Sequence, residues 1–189
     1  MPRLAPVGML SPRRRNTGAM TFTIRRAVVS DAEAMTSIHF QAWRETYTGM
    51  VPESVFEARE SRREERLTVW REIIEGRSPF GNERAFVAEM DGEVVGWATA
   101  SDGRDEDSPY PNELDGLYVL AEAHGTGCGS ALLEAAVGSG SGAFVWALDG
   151  VTRARSFYRK MGFEPDGAVK EFQTDGASLP EARLVRHPR

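Results

Sequence analysis

The stretch Glu113 to Ser130, E-L-D-G-L-Y-V-L-A-E-A-H-G-T-G-C-G-S, constrains the fold more than any other part of the chain. Leu114, Leu117, Val119 and Leu120 give it apolar strand character. Gly125, Gly127 and Gly129 then alternate with small residues, and Ala131-Leu132-Leu133-Glu134-Ala135-Ala136 opens a helix. Glycine permits positive φ and lets backbone N–H groups meet a ligand with no Cβ in the way. At a helix N-terminus those groups lack internal partners, and the macrodipole favours negative charge. The segment therefore reads either as a phosphate-holding loop or as a plain strand-to-helix turn. A P-loop needs Lys and then Ser or Thr after its last glycine, whereas Ser130-Ala131 follows Gly129. The dinucleotide fingerprint G-x-G-x-x-G also differs from the G-x-G-x-G spacing found here.

A second constellation bears on the choice. Phe144-Val145-Trp146-Ala147-Leu148 is a short apolar strand, and Ala154, Phe157, Tyr158 and Met161 then fall on one helical face closed by Gly162. The string A-R-S-F-Y-R-K-M-G-F, Ala154 to Phe163, resembles the A-x-x-F-Y-x-x-x-G-F signature of the GNAT N-acetyltransferase superfamily. His124-Gly125-Thr126-Gly127-Cys128-Gly129 resembles the (Q/R)-x-x-G-x-(G/A) loop that precedes it in that family. Order and separation both match, and the resemblance covers Phe22 to His187.

The resemblance implies an α+β fold with a mixed, mostly antiparallel central sheet flanked by helices. It implies acetyl transfer from acetyl-CoA to a primary amine by direct attack in a ternary complex, with a non-catalytic acyl-CoA-binding regulatory module as the alternative. Leu117, Tyr118 and Val119 would run beside the pantetheine arm in the manner of an added strand, with a backbone N–H near Val119 for the oxyanion. His124, Gly125, Thr126, Gly127, Cys128, Gly129 and Ser130 would hold the pyrophosphate. Tyr158 would protonate the departing thiolate, a task suited to a phenol of pKa about 10. Glu113 would take the amine's proton through water, with Asp115 as a rival two residues on, on the same strand face. Trp43, Glu45 and Tyr47, with Met50, would border the acceptor. Three departures stand out: His124 replaces Gln or Arg, Val151 replaces a frequent Asn, and the link Val137 to Ala143 is short. That link is expected to be flexible, with the preceding helix ending early.

Between those motifs, Thr21 to Val28 reads as a strand, and Ser30-Asp31-Ala32-Glu33 as a capping box that starts a helix at Ser30. Met35, Ile38, His39 and Ala42 share a face of that helix, which continues toward Tyr47 until Gly49 and Pro52 break it. A charged helix comes next, over Arg62 to Glu75. Arg84 to Met90 and Glu93 to Ser101 read as strands joined by an Asp91-Gly92 hairpin. Phe163 to Phe172 and Glu181 to Val185 form a last antiparallel pair, across a connection with Asp175-Gly176 and Pro180.

At 189 residues the chain suffices for one well-cored domain, read as residues 20–189. Residues 1–19 are Pro-rich, basic and aperiodic, and are read as a disordered extension or a mis-assigned start with Met20 as the natural beginning. Removing that segment's four arginines takes the net charge from −5 to −9, which argues against nucleic acid as a partner. The acidity, Glu45 and the loop acids Asp105, Glu106 and Asp107 point to an amine acceptor that is cationic when free, either small or on a peptide. No apolar run is long enough to span a membrane. Cys128 is the only cysteine, so no internal disulfide forms and a cytoplasmic setting is expected. In the tight loop it reads as a small packed side chain more readily than as a nucleophile. His39, His124 and His187 show no metal-ligand spacing, so no metal is expected, and His39 reads as a packed residue. Homodimers are common in the family, and one is a candidate here.

Overall fold

The computed structural model describes residues 21–78, 83–174 and 176–189. The extension read over residues 1–19, Met20, and Asp175 of the last connection lie outside the described residues. The elements run β1 (Phe22–Arg26), α1 (Ala32–Tyr47), α2 (Glu53–Ser61), α3 (Arg63–Ile74), β2 (Arg84–Met90), β3 (Glu93–Asp102) and β4 (Asn112–Val119). They continue with α4 (Cys128–Val137), β5 (Ala143–Leu148), α5 (Thr152–Lys160), β6 (Phe163–Thr174) and β7 (Ala177–Arg186). A seven-stranded sheet has the order β1-β2-β3-β4-β5-β7-β6, and every pairing is antiparallel except β4 with β5. This is the α+β architecture the sequence implied.

Local chemistry accounts for most boundaries. Asp91 and Gly92 take φ of 53° and 85°, the left-handed pair that a two-residue hairpin requires. The capping box is not used as read. Asp31, and not Ser30, accepts the Val28 N–H at 2.8 Å and pairs with Arg25 at 2.6 Å. A 3-10 turn over Val29–Asp31 therefore precedes α1, which begins two residues late. α2 is an addition to the sequence reading. Pro52 lies at its N-cap with extended ψ, so the residue read as a breaker starts a helix. The helix after the glycine loop starts at Cys128, inside the loop.

One face of the sheet packs α4 and α5 through Leu132, Leu133, Ala136 and Tyr158 onto Ala98, Leu114 and Val145. The other packs α1 and α3 through Met35, Ile38, Leu67 and Trp70 onto Val87 and Trp97. Trp97 Nε1 donates to the Met35 carbonyl at 3.1 Å, tying α1 to the sheet centre. His39 is buried in this layer, with its ring stacked 5.8 Å from Trp97, as expected of a packed residue. Burial and the charges of Arg66 and Arg59 hold it well below the ordinary histidine pKa, so it is neutral. Among the described residues, no helix is long and apolar enough to cross a membrane.

The link after α4 is short, as read, but it is anchored. Arg186 of β7 is 2 % exposed and donates to the carbonyls of Ser141 and Gly138 at 3.1 and 3.2 Å. It also pairs with Glu134 at 2.7 Å, and the Arg189 N–H donates to Gly140. Cutting one side of a buried pair leaves orphaned polar groups, at a cost of about 3–5 kcal/mol. Arg186→Leu should therefore lower the unfolding free energy by about 3 kcal/mol or more in urea titrations, and Glu134→Gln by less, because Glu134 is half-buried and the Gln amide oxygen can still accept from Arg186. Equal effects would mean that the anchored carbonyls do not matter.

Candidate active site

β4 and β5 are paired at a single position, Glu113 with Phe144, and then part. β4 carries a bulge against β3: Thr99 faces Gly116 and Ala100 faces Leu114, leaving Asp115 unopposed. Beyond the bulge, the edge of β4 that faces β5 lacks a strand partner. The gap is a cleft of about 780 Å³ lined by Leu117, Tyr118 and Val119 on one side and by Val145 to Leu148 on the other.

At one end of the cleft lies the glycine loop. Gly125 and Gly127 take φ of 78° and 94°, so the alternating glycines serve backbone geometry at these two positions. α4 has no side-chain cap at its start. Its first bond to the loop is Ala131 N–H to Gly127, and the Cys128 N–H meets the Thr126 hydroxyl at 3.3 Å. Gly125, Gly127 and Ser130 donate to no chain carbonyl among the described residues and line the cleft. That is a set of amides able to receive phosphate oxygens. Gly129 lines it too, whereas the Thr126 hydroxyl turns back to the Ala123 carbonyl at 2.8 Å. Cys128 is fully buried and absent from the lining, and burial raises its pKa. A buried thiol held protonated fits the packing reading. His124 Nε2 lies 2.8 Å from the Val119 carbonyl, clamping the loop to the end of β4, and the Arg153 guanidinium approaches the same nitrogen. Arg153 and Lys160 of α5 line the cleft and were missed in the sequence. Only their nearness to the F-Y motif hinted at them.

Tyr158 lies within the cleft wall, 8 % exposed, against Phe157 and Phe163. Burial, and secondarily Tyr118, raises its pKa, so the phenol keeps its proton. The two candidate bases differ sharply. Glu113 is held by Arg104 through its backbone N–H at 3.3 Å and its side chain at 3.2 and 3.0 Å, and it does not line the cleft. Asp115 lines it. Its Oδ1 accepts from Ser101 at 2.9 Å and Arg104 at 2.8 Å, while its buried Oδ2 has no partner. Burial pushes the Asp115 carboxyl up to about 7, against the pull of Ser101 and Arg104.

The opposite end of the cleft is lined by Trp43, Glu45, Tyr47, Met50, Phe172 and Glu181. Trp43 and Tyr47 are buried with ring centroids 4.4 Å apart, and Glu45 is exposed and takes a hydrogen bond from Gln41. Phe172 and Glu181 come from β6 and β7, too far along the chain for helix spacing to reveal. Burial raises the Glu181 pKa, with Lys170 opposing. The acidic loop is tied into the fold. Asp105 and Asp107 pair with the buried Arg183 at 3.3 and 2.7 Å, Asp105 also accepts from Trp146, and Asp166 completes the cluster. Two of its three charges are thus spent on holding the loop to β7. Among the described residues, no three His, Cys, Asp or Glu side chains cluster as metal ligands would.

Residues 81–165 match the model of the acetyltransferase (GNAT) domain. A probable N-acetyltransferase of Mycobacterium tuberculosis is 28% identical over 169 residues, covering 86% of this chain and 93% of that protein. An uncharacterized N-acetyltransferase of Bacillus subtilis is 29% identical, covering 86% and 91%. The fold is shared with a GCN5-related N-acetyltransferase from Rhodopseudomonas palustris, at TM-score 0.68 and 20% identity, covering 91% of this chain and 99% of that one. It is shared too with the paia N-acetyltransferase of Thermoplasma acidophilum, solved with coenzyme A, at TM-score 0.61 and 20% identity, covering 86% and 98%. Residues 81–165 of this chain, which match the acetyltransferase (GNAT) domain, carry both motifs, and both motifs contribute residues to the cleft lining.

Proposed function

We propose that this protein transfers acetyl from acetyl-CoA to a primary amine by direct attack within a ternary complex. The observation that carries the reading is a single cleft, opened between β4 and β5, with the loop amides at one end and Tyr158 and Asp115 on its walls. The Thermoplasma relative solved with coenzyme A supports the choice of donor. Acetyl-CoA would supply the activated acyl group; the protein's part is to bind, orient and move protons. Amides from Gly125 to Ser130, with Arg153 beside them, receive the pyrophosphate. The unpaired edge of Leu117 to Val119 pairs with the pantetheine amides as an added strand and offers an N–H to the charge growing on the acetyl oxygen. Asp115, with its unpartnered Oδ2, takes the proton from the incoming ammonium directly or through water. Glu113 keeps Arg104 in place beside it. Tyr158 gives its proton to the leaving sulfur. Tyr158 on that wall supports transfer over a non-catalytic acyl-CoA-binding module.

The direct test is release of CoA thiol from acetyl-CoA with a broad amine panel, with acetylated products identified by mass. Release with no amine dependence would refute the transfer. Gly127→Val should weaken acetyl-CoA binding at least about tenfold by calorimetry. It should also cost the fold about 1–2 kcal/mol, because a branched side chain at φ 94° is strained and blocks the phosphate approach. Tyr158→Phe should keep acetyl-CoA affinity and lower kcat on the order of 10²-fold. Unchanged kcat, with chemistry rate-limiting, would return Tyr158 to packing alone.

The base must be ionised to act, so activity is lost as protons are added. kcat/KM should rise with unit slope up to a pH of about 7, the Asp115 value, and then level unless the amine itself titrates. Asp115→Asn should remove that inflection and lower kcat by about 10²-fold or more, whereas Glu113→Gln should retain it. The reverse pattern would assign the proton transfer to Glu113.

A further inference from the structure

The carboxylates around the cleft are not equally engaged. Glu113 is bound by Arg104 at 3.0 Å, and Arg183 holds Asp105, Asp107 and Asp166 at 3.3, 2.7 and 2.7 Å. Glu181 of β7 differs. Its carboxylate accepts no hydrogen bond among the described residues, and its one ion pair is an approach by Lys170 at 3.9 Å. The Glu181 side chain is 12 % exposed, whereas that of Lys170 is 45 % exposed and rests with Nζ 4.0 Å over the Trp146 ring. A pair so long, with one partner so exposed, contributes little. Burial meanwhile raises the Glu181 pKa against the pull of Lys170. A carboxylate in that position is stabilised in its charged form by a further cation.

Position says where that cation comes from. Glu181 lines the cleft at the end opposite the glycine loop, beside Trp43, Tyr47 and Phe172, whose rings also favour a cation. Glu45 is the other charged group there, exposed and bonded to Gln41. Among the described lining residues both cations, Arg153 and Lys160, belong to α5. Sheet register relates Glu181 to the base. Glu113 pairs with Phe144 and Trp146 with Arg183, so Asp115 is level with Trp146, and Glu181 lies two strands across and two residues along. Strand spacing and rise set the two Cα atoms on the order of 12 Å apart, with Trp146 and Leu148 of the cleft lining between them. That arrangement fits two nitrogens joined by an apolar chain. We propose that Glu181 is a specificity residue that holds a second cationic nitrogen, and that the acceptor is a small diamine or longer polyamine rather than a monoamine. The near nitrogen gives its proton to Asp115 and takes the acetyl group as the thioester C–S bond breaks; the far one keeps its charge. The inference rests on the amine-acetyltransferase reading and deepens it.

Binding is measured apart from turnover. Mono-N-acetyl derivatives of linear diamines of increasing length, each beside the N-acetyl alkylamine of equal length, are titrated calorimetrically into the CoA-loaded protein. The charged member of the best pair should bind at least about tenfold more tightly, as expected for a charge-assisted contact, and the advantage should peak at one chain length. Glu181→Gln should remove that advantage. Lys170→Gln, which takes away the competing ammonium, should enlarge it about two- to threefold, and it decides the matter should Glu181→Gln fail to fold. In turnover with the best diamine, Glu181→Gln should raise KM by the factor lost in binding and keep kcat within about threefold. Equal binding of charged and uncharged members at every length would overturn the proposal. So would an advantage that survives Glu181→Gln or that Lys170→Gln fails to enlarge. If the unaltered protein released no CoA with any amine, acetyl transfer would be refuted, while the binding measurements would still report on Glu181.

Discussion

Everything in the site depends on the separation of two parallel strands. Parallel neighbours in a sheet ordinarily continue their ladder, yet β4 and β5 share one pair and no more. The extra residue at Asp115 bends β4 away and switches the faces of the residues after it. Leu114 and Leu117, three apart, consequently both serve the α4 side of the core. The bend leaves an edge of β4 without a strand partner, its Val119 carbonyl met by His124, and a ligand shaped like an extended chain can pair along such an edge. The same residue contributes its carboxyl to the opened wall. Geometry and chemistry are therefore coupled at one position.

The network around Arg104 and Arg183 shows how an acidic chain distributes its charge. Arg104, itself exposed, gathers Glu113 and Asp115, and the buried Arg183 gathers Asp105, Asp107 and Asp166, so carboxylates dense in the sequence become partners of guanidinium groups. Net charge alone is a poor guide to the field inside the cleft. The charged side chains lining the end of the cleft opposite the glycine loop are Glu45 and Glu181.

The strands and the hairpin were legible because short-range chemistry decides them. Asp91-Gly92 has few other conformations to adopt, and the apolar runs around it match the pleat. The glycine loop and the F-Y motif were legible as a pair, since backbone access and a helix face are written within a few residues each. α2 was not, because E-S-V-F-E-A-R-E-S buries only Val55 and Phe56 and so lacks a marked stripe. The choice between Glu113 and Asp115 was also hidden. Their spacing gives them one face, but Arg104, nine and eleven residues away, decides which carboxyl is held back from the cleft.

β7 lies between β5 and β6 although it is made after both. The far wall of the cleft is therefore threaded by a late segment. Until that strand enters, Arg183 and Arg186 are missing from the acidic loop and from the end of α4, and β5 and β6 have nothing to join them. Contacts so distant in sequence form slowly, since a long loop must close before they repay it. The strands up to β4 pack α1 and α3 on one face and α4, which follows them in the chain, on the other. The cleft is the seam between strands β1 to β4, which neighbour one another in chain order, and the unit of β5, β7 and β6 that the last strand completes.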